Sequence, residues 1–441
     1  MMNKKGLCIA IYFLIPILMI ASIVLSPMGA RMGMVRIVGL SLGIIAYFMM
    51  CAQVVLAARI PFLDRTFALD RLIRFHAAAG TGAFVLALLH PLVLHQGLFS
   101  FRGRFGENAL LLFFITIVLA LFFLTTVLTR RIGWARAVRD FCAAHLYLTK
   151  YHVQLWMHHI TILAVLFMFL HVVFRFRGFG TNLPFTVLAV AVFGAAAASY
   201  LWHMVLRPSY RYRVKAVCHD SKDMTTLVLV PEGHRSMTWK AGQFGYVRLS
   251  DPAVSTEWHP FSISAAPGED LSFTIRNLGD WTSGVSKIQE GSQVRVDGPY
   301  GKFTPEGGTS PLILIAGGVG ITPMMGIVKD AVRKGDARPV LLFWCARRQE
   351  DLIDQPLWKK AKAVLPRFTL CPILSRDNAA SCETGRFSKD IFKRYTEKAG
   401  IDVSSADVYY CGPEPLRKTV HEVMDHAGIP ADRIHEERFS L

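Results

Sequence analysis

The sequence predicts a multidomain membrane protein: a six-helix transmembrane bundle over residues 1–207, then an antiparallel β-barrel domain over 208–308 and a parallel-sheet α/β domain over 309–441. Three observations predict it. The chain has 441 residues, of which 52% are hydrophobic, and a mean hydropathy of +0.36. That is too apolar for an ordinary soluble chain, and the excess lies before residue 207. From 210 to about 305, short β-rich runs alternate with turns. From 311 onward, strands alternate with helices, the pattern of a parallel sheet.

Six apolar runs are long enough to cross a bilayer: 7–25, 37–58, 75–94, 109–129, 153–174 and 183–206. Lys4 and Lys5 precede the first, as they would in a signal peptide, but no small-x-small cleavage site follows and the run is read as a helix. The formal charge of +17 invites a nucleic-acid reading, which its distribution excludes. With the N-terminus inside, Lys4, Lys5, Arg59, Arg65, Arg71, Arg74, Arg130, Arg131, Arg136, Arg139, Lys150 and Arg207 face the cytosol. Arg31, Arg36, Arg102, Arg104, Arg175 and Arg177 face the other side. This obeys the positive-inside rule and places both the N-terminus and the C-terminal module in the cytosol of a cell bounded by the plasma (inner) membrane.

Four histidines lie inside the third and fifth runs. His76 and His90 are 14 residues apart and His158 and His171 are 13 apart, which separates the members of each pair by roughly 20 Å along a helix. A lone histidine in an apolar helix is ordinarily a hydrogen-bonded packing residue. Four at matching depth are costly in hydrocarbon and point to function. If the two helices pack side by side, His76 and His158 share the inner level and His90 and His171 the outer one. Two facing histidines ligate a haem iron from both sides, so the spacing describes two b-type haems stacked across a bilayer. His159 competes with His158, and helical geometry alone does not settle the choice; the axial span to His171 favours His158. His95 and His203 fall at the outer and inner interfaces.

The eight cysteines include no C-x-x-C pair, so disulfide, zinc and iron–sulfur readings all lack support. Electrons must therefore reach the haems from an organic cofactor. Barrel strands are expected at 212–217, 225–230, 244–249, 260–264, 271–276 and 293–296. Strands of the α/β domain are expected at 312–316, 340–344, 368–374, 408–411 and near Ile434. The first of these opens into Ala316-Gly317-Gly318-Val319-Gly320-Ile321-Thr322-Pro323. Glycines let the backbone approach a pyrophosphate, Pro323 suits a first helical turn, and the helix N-terminus offers free N–H groups.

The barrel half carries His259-Pro260-Phe261-Ser262-Ile263-Ser264, Ile275-Arg276, Gly279-Asp280-Trp281-Thr282 and Asp297-Gly298-Pro299-Tyr300-Gly301. On these motifs the chain resembles the ferric reductase and NADPH oxidase family over nearly its whole length. That family joins a six-helix di-haem membrane domain to a ferredoxin-reductase-like flavin and nicotinamide module. The resemblance implies an FAD-binding barrel and an NAD(P)-binding α/β domain. By it, His259, Pro260, Phe261 and Ser262 match the H-P-F-[ST] flavin motif, with Phe261 near the isoalloxazine and Ser262 near its reactive edge. Arg276 would meet the FAD pyrophosphate, and Thr282 would offer a hydroxyl and an amide to phosphate. Gly317, Gly318, Gly320 and Thr322 match the phosphate loop, and Cys411-Gly412-Pro413 the C-G-P element beside the nicotinamide, which makes Cys411 and Ser262 the candidate catalytic residues. The family's haem ligands fall on His76, His90, His158 and His171. Relatives often end on an aromatic residue over the flavin. Here the chain ends Arg438-Phe439-Ser440-Leu441, so either Phe439 takes that place or the flavin is less covered.

Arg347 and Arg348 follow the second strand of the α/β domain, and Ser375-Arg376 the third, where partners of a 2′-phosphate commonly sit. NADPH is therefore expected over NADH. The resemblance implies hydride transfer from the nicotinamide to flavin N5, then single-electron passage through the inner and outer haems to an exterior acceptor. That acceptor is oxygen, giving superoxide, or in the alternative a ferric chelate. A haem-containing relay subunit for a partner protein is the rival reading, but a pure relay has no need of both a flavin and a nicotinamide motif. No obligate protein partner is evident.

Overall fold

The computed structural model describes residues 3–95, 105–119, 133–145, 153, 157–175, 182–233, 236–305 and 307–437. The chain divides into two compact units, Met1–Arg207 and Pro208–Leu441.

The first unit is helical. Asn3 caps the helix Lys4–Val24 by accepting a hydrogen bond from the Gly6 amide. Met34–Ala57, Pro61–Phe67, Leu69–Val93, Phe105–Leu119, Gly133–His145 and Ile160–Arg175 follow. The helix Leu183–Leu201, capped by Asn182, ends in a π turn over Trp202–Leu206. Among the described residues four helices are long and apolar enough to cross a membrane: Lys4–Val24, Met34–Ala57, Arg71–Val93 and Leu183–Leu206. Six were expected. The other two runs contain the shorter apolar helices Phe105–Leu119 and Ile160–Phe174; residues 120–129 of one and 154–156 of the other lie outside the described residues. Residues 153, 157 and 158 are helical as expected, and a turn at His159 separates them from the helix Ile160–Arg175. Small residues let the helices approach: Ala83, Ala109 and Ala164 have no exposed surface. The Tyr47 hydroxyl, buried in the same core, donates to the Ala189 carbonyl at 2.7 Å.

The second unit begins with the strands β1 (Tyr210–Ser221), β2 (Met224–Pro231), β3 (Phe244–Ser250), β4 (His259–Ser262), β5 (Leu271–Arg276) and β6 (Gln293–Tyr300). They form an antiparallel sheet in the order β4-β3-β6-β1-β2-β5, and a bridge between Ile263 and Phe273 joins its two edges into a barrel. Alternation does the sorting. Leu227, Leu229, Phe273, Ile275, Val294 and Val296 fill the interior, while Thr226, Ser272 and Thr274 fall on the outer face.

The remainder is a six-stranded sheet: β7 (Leu312–Gly317), β8 (Val340–Ala346), β9 (Phe368–Leu374), β10 (Glu383–Thr384), β11 (Asp407–Cys411) and β12 (Ile434–Glu437), in the order β10-β9-β8-β7-β11-β12 and parallel throughout. Every residue of β7 is buried, as in a strand covered on both faces. β10 has two residues, too few to show a period, and the sequence reading lacked it. The chain runs from β7 outward through β8 and β9, then returns to β11 on the other side of β7. This reversal opens a crevice beyond the carboxyl ends of β7 and β11, where parallel sheets of this kind bind ligands.

Candidate functional site

That crevice is built by backbone. β7 ends in Gly317, and Gly318–Gly320 form one tight turn before the helix Ile321–Lys334. Gly318 has φ +55°, a left-handed conformation that favours glycine. A Cβ on Gly320 would stand 2.0 Å from the Cys411 carbonyl oxygen, and one on Gly317 would stand 2.7 Å from the Pro413 ring. The two glycines are thus what lets the loop after β7 seat against Cys411-Gly412-Pro413 after β11. Thr322, buried, donates to the Val319 carbonyl at 3.0 Å and so braces the turn.

Cys411 is fully buried, and burial first, then the Glu437 carboxylate, pushes its thiol well above the usual range. It is a neutral thiol. Glu437 lies opposite Cys411 in the β11–β12 register and is 7% exposed. Sequence reading missed it; a carboxylate two residues before the terminal aromatic was the available signal. Phe439 lies outside the described residues.

In the barrel, the β4 motif divides by parity. Phe261 and Ile263 pack on the interior, whereas Ser262 and Ser264 fall on the outer face. His259 packs tilted against Trp281 with ring centroids 4.3 Å apart, and Phe261 stacks on the same indole at 5.6 Å. Burial pulls the His259 imidazole below its usual range, against the opposing pull of Glu257, 3.4 Å away. Pro260 is exposed. The Ser262 hydroxyl is buried with no hydrogen-bond partner among the described residues. Phe244 lies opposite Ser262 in the β3–β4 register and packs against Tyr246 and Tyr300, and an orphaned hydroxyl on such an aromatic face fits a polar heterocycle such as a flavin. Arg276 reaches the crevice: its Nη1 lies 3.4 Å from the position of a Cβ on Gly318. Thr282 is already committed. Its hydroxyl accepts from the Leu278 and Gly279 amides at 2.9 Å each and donates to the Gly279 carbonyl, so it holds the turn that presents Trp281.

Arg347 and Arg376 are exposed and adjacent, the Arg376 amide donating to the Arg347 carbonyl at 2.9 Å. This puts both at the carboxyl ends of β8 and β9, beside the crevice. Arg348 pairs instead with Glu350.

In the helical unit the histidines meet in pairs. The His76 and His158 rings have centroids 5.9 Å apart, and the His90 and His171 rings 6.5 Å apart, each pair crossed at a steep angle. Two imidazoles bound at about 2 Å on opposite sides of one metal ion have centroids roughly 6 Å apart, so both pairs fit a shared iron. His76 Nδ1 lies 3.2 Å from the Gln53 carbonyl and His90 Nδ1 2.7 Å from the Gly39 carbonyl. Each ring can thus donate from Nδ1 and keep Nε2 for a metal, the usual arrangement of ligating histidines. His158 Nδ1 is buried without a partner among the described residues. His159 faces Tyr200 at 6.5 Å. Two glycines that sequence reading passed over make room for the outer pair. A Cβ on Gly43 would meet the His90 ring at 2.7 Å, and one on Gly106 the His171 ring at 2.5 Å.

Fold and crevice define a class: a ferredoxin-reductase-like module that binds FAD and NAD(P) and belongs to an oxidoreductase. Residues 210–304 match the FAD-binding domain family and residues 314–422 the oxidoreductase NAD-binding domain family. Among curated proteins, the reductase component of propane 2-monooxygenase from Rhodococcus jostii (strain RHA1) is 27% identical over 242 residues, 52% of this chain and 63% of that protein. The ferredoxin–NAD(P)(+) reductase component of the naphthalene 1,2-dioxygenase system of Pseudomonas putida is 26% identical over 51% of this chain and 66% of that protein. A flavohemoprotein of Bacillus subtilis (strain 168) is 27% identical over 50% of this chain and 56% of its own length. The chain therefore spans less than two thirds of the length of each of these relatives. Among solved structures, a cytochrome P450 reductase of Amycolatopsis aligns with TM-score 0.46 and 26% identity over 53% of this chain and 70% of its own.

Proposed function

We propose that the chain is a transmembrane oxidoreductase of the plasma (inner) membrane that passes electrons from cytosolic NADPH through FAD and two b-type haems to an exterior acceptor, oxygen, releasing superoxide. The observation that carries this reading is the pairing of His76 with His158 and of His90 with His171 at 5.9 and 6.5 Å. A unit that needed histidines only for packing has no reason to set four of them face to face at two levels.

FAD, when bound, supplies the conversion of a two-electron hydride into single electrons, which each haem iron can accept. The chain's own residues do the positioning. Gly317, Gly318 and Gly320 bring backbone N–H groups to a dinucleotide phosphate, and Arg276 supplies a cation between loop and barrel. Cys411 keeps its proton and offers the nicotinamide a small, uncharged wall. Arg347 and Arg376 would take the 2′-phosphate. In the helical unit each Nδ1–H held by a carbonyl fixes its imidazole for ligation.

The test uses purified full-length protein with FAD and NADPH. Cytochrome c reduction abolished by superoxide dismutase establishes oxygen as acceptor. Reduction that persists with the dismutase, together with rapid reduction of a ferric chelate, assigns a ferric reductase instead. Absence of haem from the purified protein overturns the membrane half of the reading.

A further inference from the structure

We propose that a row of buried hydroxyls on the outer face of the barrel, ending at Asp220, is a proton exit from the flavin site. The proposal rests on the FAD reading of Ser262. A hydride carries two electrons and one proton. When both electrons have left singly for one-electron acceptors, the proton stays behind and must reach water, one for each NADPH oxidised.

The row is continuous. The Thr226 hydroxyl donates to Asp220 Oδ2 at 2.6 Å. Thr226 and Thr274, partners in the β2–β5 register, share a hydrogen bond at 2.7 Å. Thr274 bonds Ser264 at 3.1 Å, and Ser264 bonds Ser272 at 3.0 Å. Thr274 and Ser264 are 2% and 0% exposed. Ser264 lies two residues past Ser262, beyond the end of β4 and on the same outer face, a rise of about 6.6 Å that two bridging waters would span. Ser262 is the orphan: a buried hydroxyl with no partner among the described residues.

Hydroxyls are both donors and acceptors. Once Thr274 turns its O–H toward Thr226, every link points to Asp220. A proton accepted by Ser264 is then balanced by one delivered to the carboxylate, and no hydroxyl gains or loses charge. The row is roofed against bulk solvent by the nucleotide domain. A Cβ on Gly326 would stand 2.8 Å from the Ile263 carbonyl, and Met224, beside Thr226, packs in that domain's core. Asp220 itself is only partly buried, beside His219, Lys329 and Asp354. Burial holds its carboxyl above the usual range, which suits a group that must take up a proton and return it to water.

A packing role predicts something different, since hydroxyls that merely satisfy one another can be replaced at a cost in stability alone. The experiment compares full-length wild type with Asp220→Asn, Thr226→Val and Thr226→Ser. Each is reduced by NADPH without oxygen, then reoxidised by ferricyanide, with a pH-indicator dye following proton release. Asn and Val should slow release roughly a hundredfold or more, leaving anaerobic reduction unchanged, and Ser should restore it. A carboxyl band in the reduced-minus-oxidised infrared difference spectrum should vanish in Asp220→Asn. Wild-type release in both Asn and Val, with only a lower Tm in Val, overturns the relay. Asp220→Asn keeps the test valid if Val fails to fold. Wild type that binds no FAD overturns the flavin reading itself, a failure visible before any variant is made.

Discussion

The helical unit places its candidate ligands by side chain, whereas the C-terminal module shapes its crevice by backbone. His76, His90, His158 and His171 reach their partners across helix crossings, and the rings can be removed without touching a helical hydrogen bond. Gly317 and Gly320 have no side chain to lose; what matters is that the carbonyl of Cys411 and the ring of Pro413 already occupy the space of a Cβ. The difference teaches where each half is fragile. Substitution in the first should cost a cofactor and spare the fold, while substitution in the second should cost both.

The largest effect is expected at the outer histidine pair. His90→Ala or His171→Ala should leave one haem per chain instead of two, with reduction of the flavin by NADPH intact. A haem count against protein concentration reads it; two haems with bis-histidine spectra in both variants would break the contrast. Next comes Gly320→Ala, whose methyl group meets backbone rather than a flexible side chain. It should destabilise the C-terminal module by about 1–3 kcal/mol or more and abolish nucleotide binding, read by thermal unfolding and by NADPH titration. Gly43→Ala sharpens the comparison because its methyl group meets the His90 ring first, a side chain rather than backbone. It should perturb the outer haem's spectrum while nucleotide affinity stays unchanged.

Smaller and more selective is the loss at Arg347 or Arg376. Removing a charge-assisted hydrogen bond worth about 1.5–3 kcal/mol should weaken NADPH roughly tenfold to a hundredfold and leave NADH nearly unaffected. Equal losses in kcat/KM for both coenzymes would show that these arginines only hold the loops.

The smallest effect concerns Asp336. Burial alone would raise its carboxyl, but hydrogen bonds from the Arg338 side chain and amide bring it below the usual range. A carboxyl lowered in the folded state stabilises the fold above its unfolded pKa, and that contribution is lost as pH falls through the folded value. Asp336→Asn should therefore cost about 0.5–1.5 kcal/mol at neutral pH, and the gap should close below about pH 4. Urea unfolding at two pH values measures it. A gap that persists in acid would assign the loss to packing.

Much of this was legible from one dimension. Hydropathy runs placed the four helices that are long and apolar enough to cross a membrane among the described residues, because a helix needs about 20 apolar residues to cross hydrocarbon. Strand parity placed the barrel core, since Phe273 and Ile275 alternate with Ser272 and Thr274 whatever the strand pairs with. The spacing of four histidines set two levels, and the glycines after Leu312–Gly317 marked a turn. Local chemistry decides such features, and they survive any rearrangement of distant parts.

Only the tertiary structure decided which residues meet. His158 rather than His159 faces His76, while His159, at the turn before Ile160, faces Tyr200. Gly43 and Gly106 matter because a second helix presses an imidazole where their Cβ atoms would be, and no periodicity records that pressure. Glu437 lies by Cys411 because β12 pairs with β11 in one register. The hydroxyls of Thr226, Thr274 and Ser264 form a row because β2, β5 and the segment just past β4 are neighbours where the Ile263–Phe273 bridge closes the barrel. Each of these is a contact between segments far apart in the chain. The physical reason is common to all: sequence spacing sets the direction in which a side chain leaves its own element, and packing alone sets what it finds there.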